Sequence, residues 1–290
     1  MSLVKLSTDP IVKRLRWVML AAMLFSLVVT LLGQADSFWH HAQTAIRADG
    51  LSIDNKTNHT FEFFIGRGWQ AYLIANVIYF LGAFLLVSAL PRVMALTVIF
   101  SFIFGHFFGA SNWLAIRWHL GVQGPLAYSL VLGPTIVFLA FAETNSNTDK
   151  IIKRLRWVMV GALLLDMIIT LIGQPASYWS QPETVHEANQ LSRFFLMRGW
   201  YAYLLEQLVY CCGVFWLVTK LPQMWGIICI FCFILGGFTG SSCWFFFQWR
   251  LGMEAPVIYG IILSLLIVLE AFPEVKLKKG KLKTALGSTT

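Results

Sequence analysis

Four ionisable residues, Asp166, Glu206, His106 and Glu270, fall inside or at the edge of long apolar runs. Burying such a group at membrane depth is costly unless it is paired or faces a wet cavity, so each marks a candidate functional position. Asp166 and Glu206 lie on consecutive apolar runs, where two carboxyls can meet across a helix pair and share a proton. Together with His106 they supply material for a transporter or channel carrying an ion or a small solute. The same residues also fit a structural reading, in which polar groups hydrogen-bond across helices and hold a bundle together.

A second set of residues occurs twice. Arg-Gly-Trp-x-Ala-Tyr-Leu stands at 67–73 and again at 198–204, and the flanking residues match as well. Gln34 pairs with Gln174, Trp39 with Trp179, Asn58 with Asn189, Arg67 with Arg198, and Trp69 with Trp200. Further on, Ser111, Trp113, Gly121 and Tyr128 correspond to Ser242, Trp244, Gly252 and Tyr259. Two readings are open. In one, the rings form an interfacial belt, the arginines snorkel or cap a helix start, and the amides satisfy backbone groups freed at helix ends. In the other, each half folds a loop over its helix ends and makes an aromatic-walled pocket with an arginine at its base, suited to an anionic or amphipathic headgroup. The ionisable residues do not recur: Ser26 stands opposite Asp166, Ala75 opposite Glu206, and Gly237 opposite His106.

Patterns that would carry catalysis are missing. There is no His-Glu-x-x-His, Gly-x-Ser-x-Gly or phosphate loop, and no convergent acid, base and nucleophile can be assembled, so no catalytic residue is assigned and the reading leans away from an enzyme. His40, His41 and His59, with Asp36 and Asp49, have metal-ligand character, but the second half keeps only His186, and loop histidines are ordinarily solvated. No metal or other cofactor is expected. All five cysteines, Cys211, Cys212, Cys229, Cys232 and Cys243, fall within apolar runs and read as small core residues.

Helices that cross a bilayer are needed to position these groups. The chain of 290 residues is 58% hydrophobic and only 12% charged, with mean hydropathy +0.69. Apolar runs of roughly 18 to 23 residues recur, the length that spans a hydrocarbon core as a helix. The pattern predicts eight spans, at 17–32, 68–90, 93–116, 125–142, 157–172, 199–220, 224–247 and 256–272, with a kink at Gly133-Pro134. Ile-Ile-Lys-Arg-Leu-Arg-Trp at 151–157 restates Ile-Val-Lys-Arg-Leu-Arg-Trp at 11–17. The expected fold is therefore an all-α membrane protein of eight transmembrane helices, arranged as two tandem four-helix repeats in parallel orientation. Residues 1–145 form the first repeat, 146–275 the second, and 276–290 a basic tail.

The net charge of +8 gathers at span ends, which is a topology signal rather than a nucleic-acid footprint. It places both termini in the cytoplasm. Gly105 with Gly109, and Gly236 with Gly240, are small-xxx-small pairs that permit close helix approach, either between the halves or with a protein partner or a second copy.

Asp166-x-x-x-Thr170 followed by Glu187-Ala188-Asn189 and Leu191 resembles an uncharacterised family of small bacterial integral membrane proteins marked by Asp-x-x-x-Thr and Glu-x-Asn-Pro. Gln190 stands in place of the proline, and Ser26 and Lys56 replace the two acids in the first half. The resemblance implies a multi-pass protein of a bacterial inner membrane. The expected role is that of a structural or accessory subunit, or of a module binding lipid or a membrane partner; the alternative is a transporter or channel using Asp166, Glu206 and His106.

Overall fold

The computed structural model describes residues 9–34, 67–141, 148–187 and 189–272. Trp39, Asn58, the histidines of the first loop and the basic tail lie outside the described residues. Eight helices are long and apolar enough to cross a membrane. They are α1 (Pro10–Leu32), α2 (Trp69–Ala89), α3 (Arg92–Asn112), α4 (Gln123–Phe141), α5 (Thr148–Ile172), α7 (Trp200–Lys220), α8 (Gln223–Cys243) and α9 (Glu254–Ala271), with the short α6 (Gln190–Leu196) preceding α7. Among the described residues there is no strand. The architecture is that of a multi-pass integral membrane protein.

Both α1 and α5 begin well before the tryptophans that open their apolar runs. Asp9 caps α1, its carboxylate accepting from the backbone N–H groups of Ile11 at 2.9 Å and Val12 at 3.1 Å, with Pro10 at the first helical position, where a missing N–H does no harm. The basic turns are amphipathic: Val12 and Leu15, like Ile151, Ile152 and Leu155, are buried, while Lys13, Lys153 and Arg154 stay exposed. Charge alone marks these turns as polar edges; helical spacing makes them part of the bundle.

The two long helical hairpins close on proline. Leu90 and Leu221 are extended because the following Pro91 and Pro222 disfavour a helical residue before them, and the next helix starts at once. At this end of the molecule Arg92 pairs with Asp9 at 3.0 Å, and Arg16 Nη1 donates to Ser88 Oγ at 2.8 Å. The guanidinium of Arg16 lies 4.5 Å over the Phe84 ring, and that of Arg156 lies 4.5 Å over Phe215.

The opposite helix ends are finished by π-turns, Trp113–Arg117 after α3 and Trp244–Gln248 after α8. Each sets a tryptophan ring against a glycine at the end of a neighbouring helix. A Cβ on Gly33 would come within 2.6 Å of the Trp113 ring, and one on Gly173 would strike Trp244. Arg117 also reaches this point, its Nε donating to the Gly33 carbonyl at 2.7 Å.

Inside the bundle α1 packs on α3 and α5 on α8, while α3 lies against α9 and α4 against α8. The centre is aromatic, with Phe100, Phe104, Phe107, Phe108, Phe231 and Phe238 wholly buried. The helix α4 runs unbroken through Pro134. Its neighbour Gly133 serves a close contact, since a Cβ there would sit 2.7 Å from Cys232 Sγ.

The glycine pairs divide their work differently from the small-xxx-small expectation. Gly109 faces Ser26 Oγ, 3.5 Å from where its Cβ would be, and Gly240 faces the Asp166 carboxyl, whereas Gly105 and Gly236 have no atom within 4 Å of that point. One glycine of each pair serves a helix contact within the chain. The other looks outward.

Candidate functional site

Asp166 lies two turns before the end of α5, and α8 presses against it through Gly240, where any Cβ would collide with the carboxyl. Its Oδ1 is buried without a hydrogen-bond partner. A carboxyl oxygen buried without a hydrogen-bond partner is costly, and most costly when the group is ionised. The hydroxyls of Ser241 and Ser242, which follow Gly240, are likewise buried and unpartnered, and the Tyr259 hydroxyl on α9 comes close to Ser241 without closing a hydrogen bond. Cys243 is within electrostatic reach of Asp166, and its thiol points at Asn112 Oδ1, 3.6 Å away on α3. Ser111, beside Asn112, is buried and unpartnered too. A polar seam thus runs through the apolar bundle from Asp166 to the opposite half.

The segment between α5 and α7 covers the seam. The buried Gln174 side chain holds it by both ends of its amide: Nε2 donates to the carbonyls of Thr170 and His186, each at 3.0 Å, and Oε1 accepts from the His186 N–H at 2.9 Å. Tyr178 is buried, and its hydroxyl donates to the Leu196 carbonyl at 3.1 Å; burial pushes that phenol above its ordinary range, so it remains a donor. Met167, Tyr178, Val185, Leu196 and Tyr203 form a small apolar core of their own beneath this cover. Glu187 comes down with the segment, close enough for its carboxyl to feel that of Asp166. Its Oε1 accepts from the Asn189 N–H at 2.7 Å. Tyr203, near Thr170, faces both acids.

The side chains that face one another at this site are two carboxyls, several hydroxyls, an amide and a thiol; His186 takes part through its backbone N–H and carbonyl. Acceptors outnumber positive charge. Such a set can take up a donor or a small cation, and its two carboxyls disfavour an anion.

The other sequence candidates are placed elsewhere. Glu206 on α7 accepts from Gln207 Nε2 at 2.9 Å, and no hydrogen bond joins it to Asp166 among the described residues. His106 sits in an aromatic nest, 6.0 Å from Tyr79 and Phe80 and stacked at 6.5 Å on Phe102. Asp166 and Glu206 are both within electrostatic reach of Tyr203, Tyr210 and Cys211, while His106 keeps to its aromatic nest.

The repeated outer residues do local structural work in the second half. Gly199 adopts φ +110 and ψ 157, and Gly68 φ +102 and ψ 165, a region open essentially to glycine alone. This is why Arg-Gly-Trp recurs. Arg198 stacks 3.3 Å over the Phe194 ring and donates from Nη1 to the Phe194 carbonyl. Asn189 caps α6, its side chain accepting from the Leu191 N–H. Trp179 and Trp200 are exposed, with Trp200 edge-on to Tyr201. Gln34 is buried where α1 ends, Arg67 is exposed, and Trp69 is half-buried. Arg198 is thus an exposed residue just past the end of α6, held against Phe194.

Cys243 reads from sequence as a small core residue, and Ser241 and Asn112 give no sequence signal of a part in the seam beyond standing beside the repeated Ser242 and Ser111. Comparison with known proteins found no family model, no curated protein and no solved structure that matches this chain.

Proposed function

We propose that this chain is a membrane-embedded binding module built from two tandem four-helix repeats in parallel orientation, and that its chemistry is the uptake of a small cation, as small as a proton, at Asp166. One observation carries the reading: a buried carboxylate oxygen without a partner, pressed by Gly240 and approached by Glu187 from the covering segment. A positive charge or proton supplied from outside resolves the cost of that oxygen, and an intramembrane acid is a functional position by default. The tight fit against Gly240 limits the guest to a small ion rather than an organic solute.

The site lies toward the end of the bundle where α5 finishes, beneath the segment that carries Glu187. With the basic helix starts in the cytoplasm, as the charge distribution directs, that is the outer face of a bacterial inner membrane. The layer below is packed with Phe100, Phe104, Phe231 and Phe238, which favours binding from one side over passage across. The convergence of Asp166, Thr170 and Glu187 also agrees with the resemblance drawn from those residues.

Thermal unfolding of the protein in lipid nanodiscs, scanned over pH and over sodium, potassium and ammonium, tests the proposal. The unfolding temperature should depend on at least one of these cations, protons included, and Asp166→Asn should remove the dependence. An unfolding temperature indifferent to all of them in the parent protein overturns the reading.

A further inference from the structure

A groove of about 820 Å³ runs down the outside of the bundle between α5 and α9. At its basic end stand Lys153, Arg154 and Trp157, with Glu270 on the facing wall; further in it is walled by Leu165, Tyr259 and Leu266. Its waist is Gly161, where no atom lies within 4 Å of the place a Cβ would occupy. The corresponding surface of the first half is shaped differently. Ala21 replaces Gly161 there, and Phe25 replaces Leu165, its ring packed 4.4 Å from Tyr128. An aromatic side chain thus closes in one half the space that is open in the other.

We infer that this groove seats one glycerophospholipid of the leaflet at the basic end, with an acyl chain lying along Gly161 and Leu165 and the phosphate held by Lys153 and Arg154. Three features select that occupant. The depth of the groove is lined by apolar side chains, as a hydrocarbon chain requires, and a chain there replaces the dispersion contacts that an empty cleft forfeits. Two cations stand one helical step apart at the mouth, at the level where a phosphate would lie, and they are exposed. Trp157, also exposed, has the amphipathic ring that belongs at headgroup depth. Lys153 and Arg154 against the single Glu270 leave the mouth with a net positive charge. The site is independent of Asp166: Tyr259 contributes its ring to the groove and its hydroxyl to the seam, but the lipid needs neither acid.

Native mass spectrometry of the full chain released from nanodiscs of phosphatidylglycerol and phosphatidylcholine is the test. The parent protein should retain one phospholipid. Gly161→Leu fills the waist without touching the core and should cut the retained fraction about tenfold, as should Lys153→Gln combined with Arg154→Gln. Gly82→Leu, at another glycine with open space around it, should leave retention unchanged. Nanodiscs doped with diacylglycerol should give no retained adduct of that lipid. Retention that survives Gly161→Leu places the lipid elsewhere and overturns the inference; retention lost equally with Gly82→Leu marks general loosening and overturns it as well. Retained diacylglycerol, or indifference to the double charge substitution, overturns the phosphate assignment.

Discussion

Gly199 fixes the path of the chain from the covering segment into α7 by a conformation no L side chain adopts readily. Replacing it with alanine sets a methyl 2.7 Å from the Tyr201 ring in addition to the backbone cost, and such strained positions are worth about 1–3 kcal/mol. Gly199→Ala should therefore lower the thermal unfolding midpoint in detergent, and Gly68→Ala should do the same at the start of α2. Gln174 acts through hydrogen bonds rather than torsion. Gln174→Leu removes the bonds to the N–H and carbonyl of His186, an exposed residue, a loss of about 1 kcal/mol for each bond. Because those bonds tie down one segment, hydrogen exchange should accelerate over 176–187 while α1 to α4 keep their protection; acceleration spread over the whole chain would show the clamp to be no local device. Repetition in the sequence singled out Gly199 and Gln174 without revealing their use. A left-handed or extended-positive φ is a property of the path the chain takes, and residue type registers it only as the presence of glycine.

At the scale of helices, the tryptophan seats decide how closely the π-turns approach α1 and α5. Gly173→Ala should drive the Trp244 ring from its place at a cost of about 1–3 kcal/mol, the usual range for overpacking. If the contact is the cause, Trp244→Leu should remove most of that penalty, so the two changes together should destabilise less than their sum. Additive losses in chemical denaturation would show that the glycine matters for another reason. The eight helices themselves were legible, because a run of apolar residues long enough to cross hydrocarbon has few other uses. Their starts were not. The turns Lys13 to Arg16 and Lys153 to Arg156 are too charged to count as membrane-spanning, yet they alternate buried and exposed at helical spacing. The π-turns left no sequence trace beyond the fact that Trp113 and Trp244 correspond, and the Glu187 carboxyl could not be brought to Asp166 without the fold of the segment between them.

Across the whole molecule, residues at corresponding positions of the two halves touch one another. Phe100 stacks with Phe231 at 5.9 Å, Phe141 with Phe272 at 5.5 Å, and Asn112 meets Cys243. A residue can contact its own counterpart only near an axis that exchanges the two halves, so these pairs support the proposed parallel arrangement of two repeats, which a pseudo-two-fold axis would relate. None of them could be paired from sequence, since core-facing and lipid-facing positions are equally apolar and periodicity fades when both solvents are oily. The Asn112 contact offers a direct check, because every native cysteine lies in the second half. With a protease site inserted between residues 142 and 147 and the Asn112→Cys substitution made, the new thiol should face Cys243 across the axis. A short thiol-bridging reagent applied in membranes, followed by cleavage, should then leave the halves joined on a denaturing gel. Cys243→Ser in the same background should release them, since Cys211, Cys212, Cys229 and Cys232 belong to other parts of the second half. Halves that separate despite the reagent, or that stay joined without Cys243, would place the axis elsewhere and with it the seam that leads from Asn112 to Asp166.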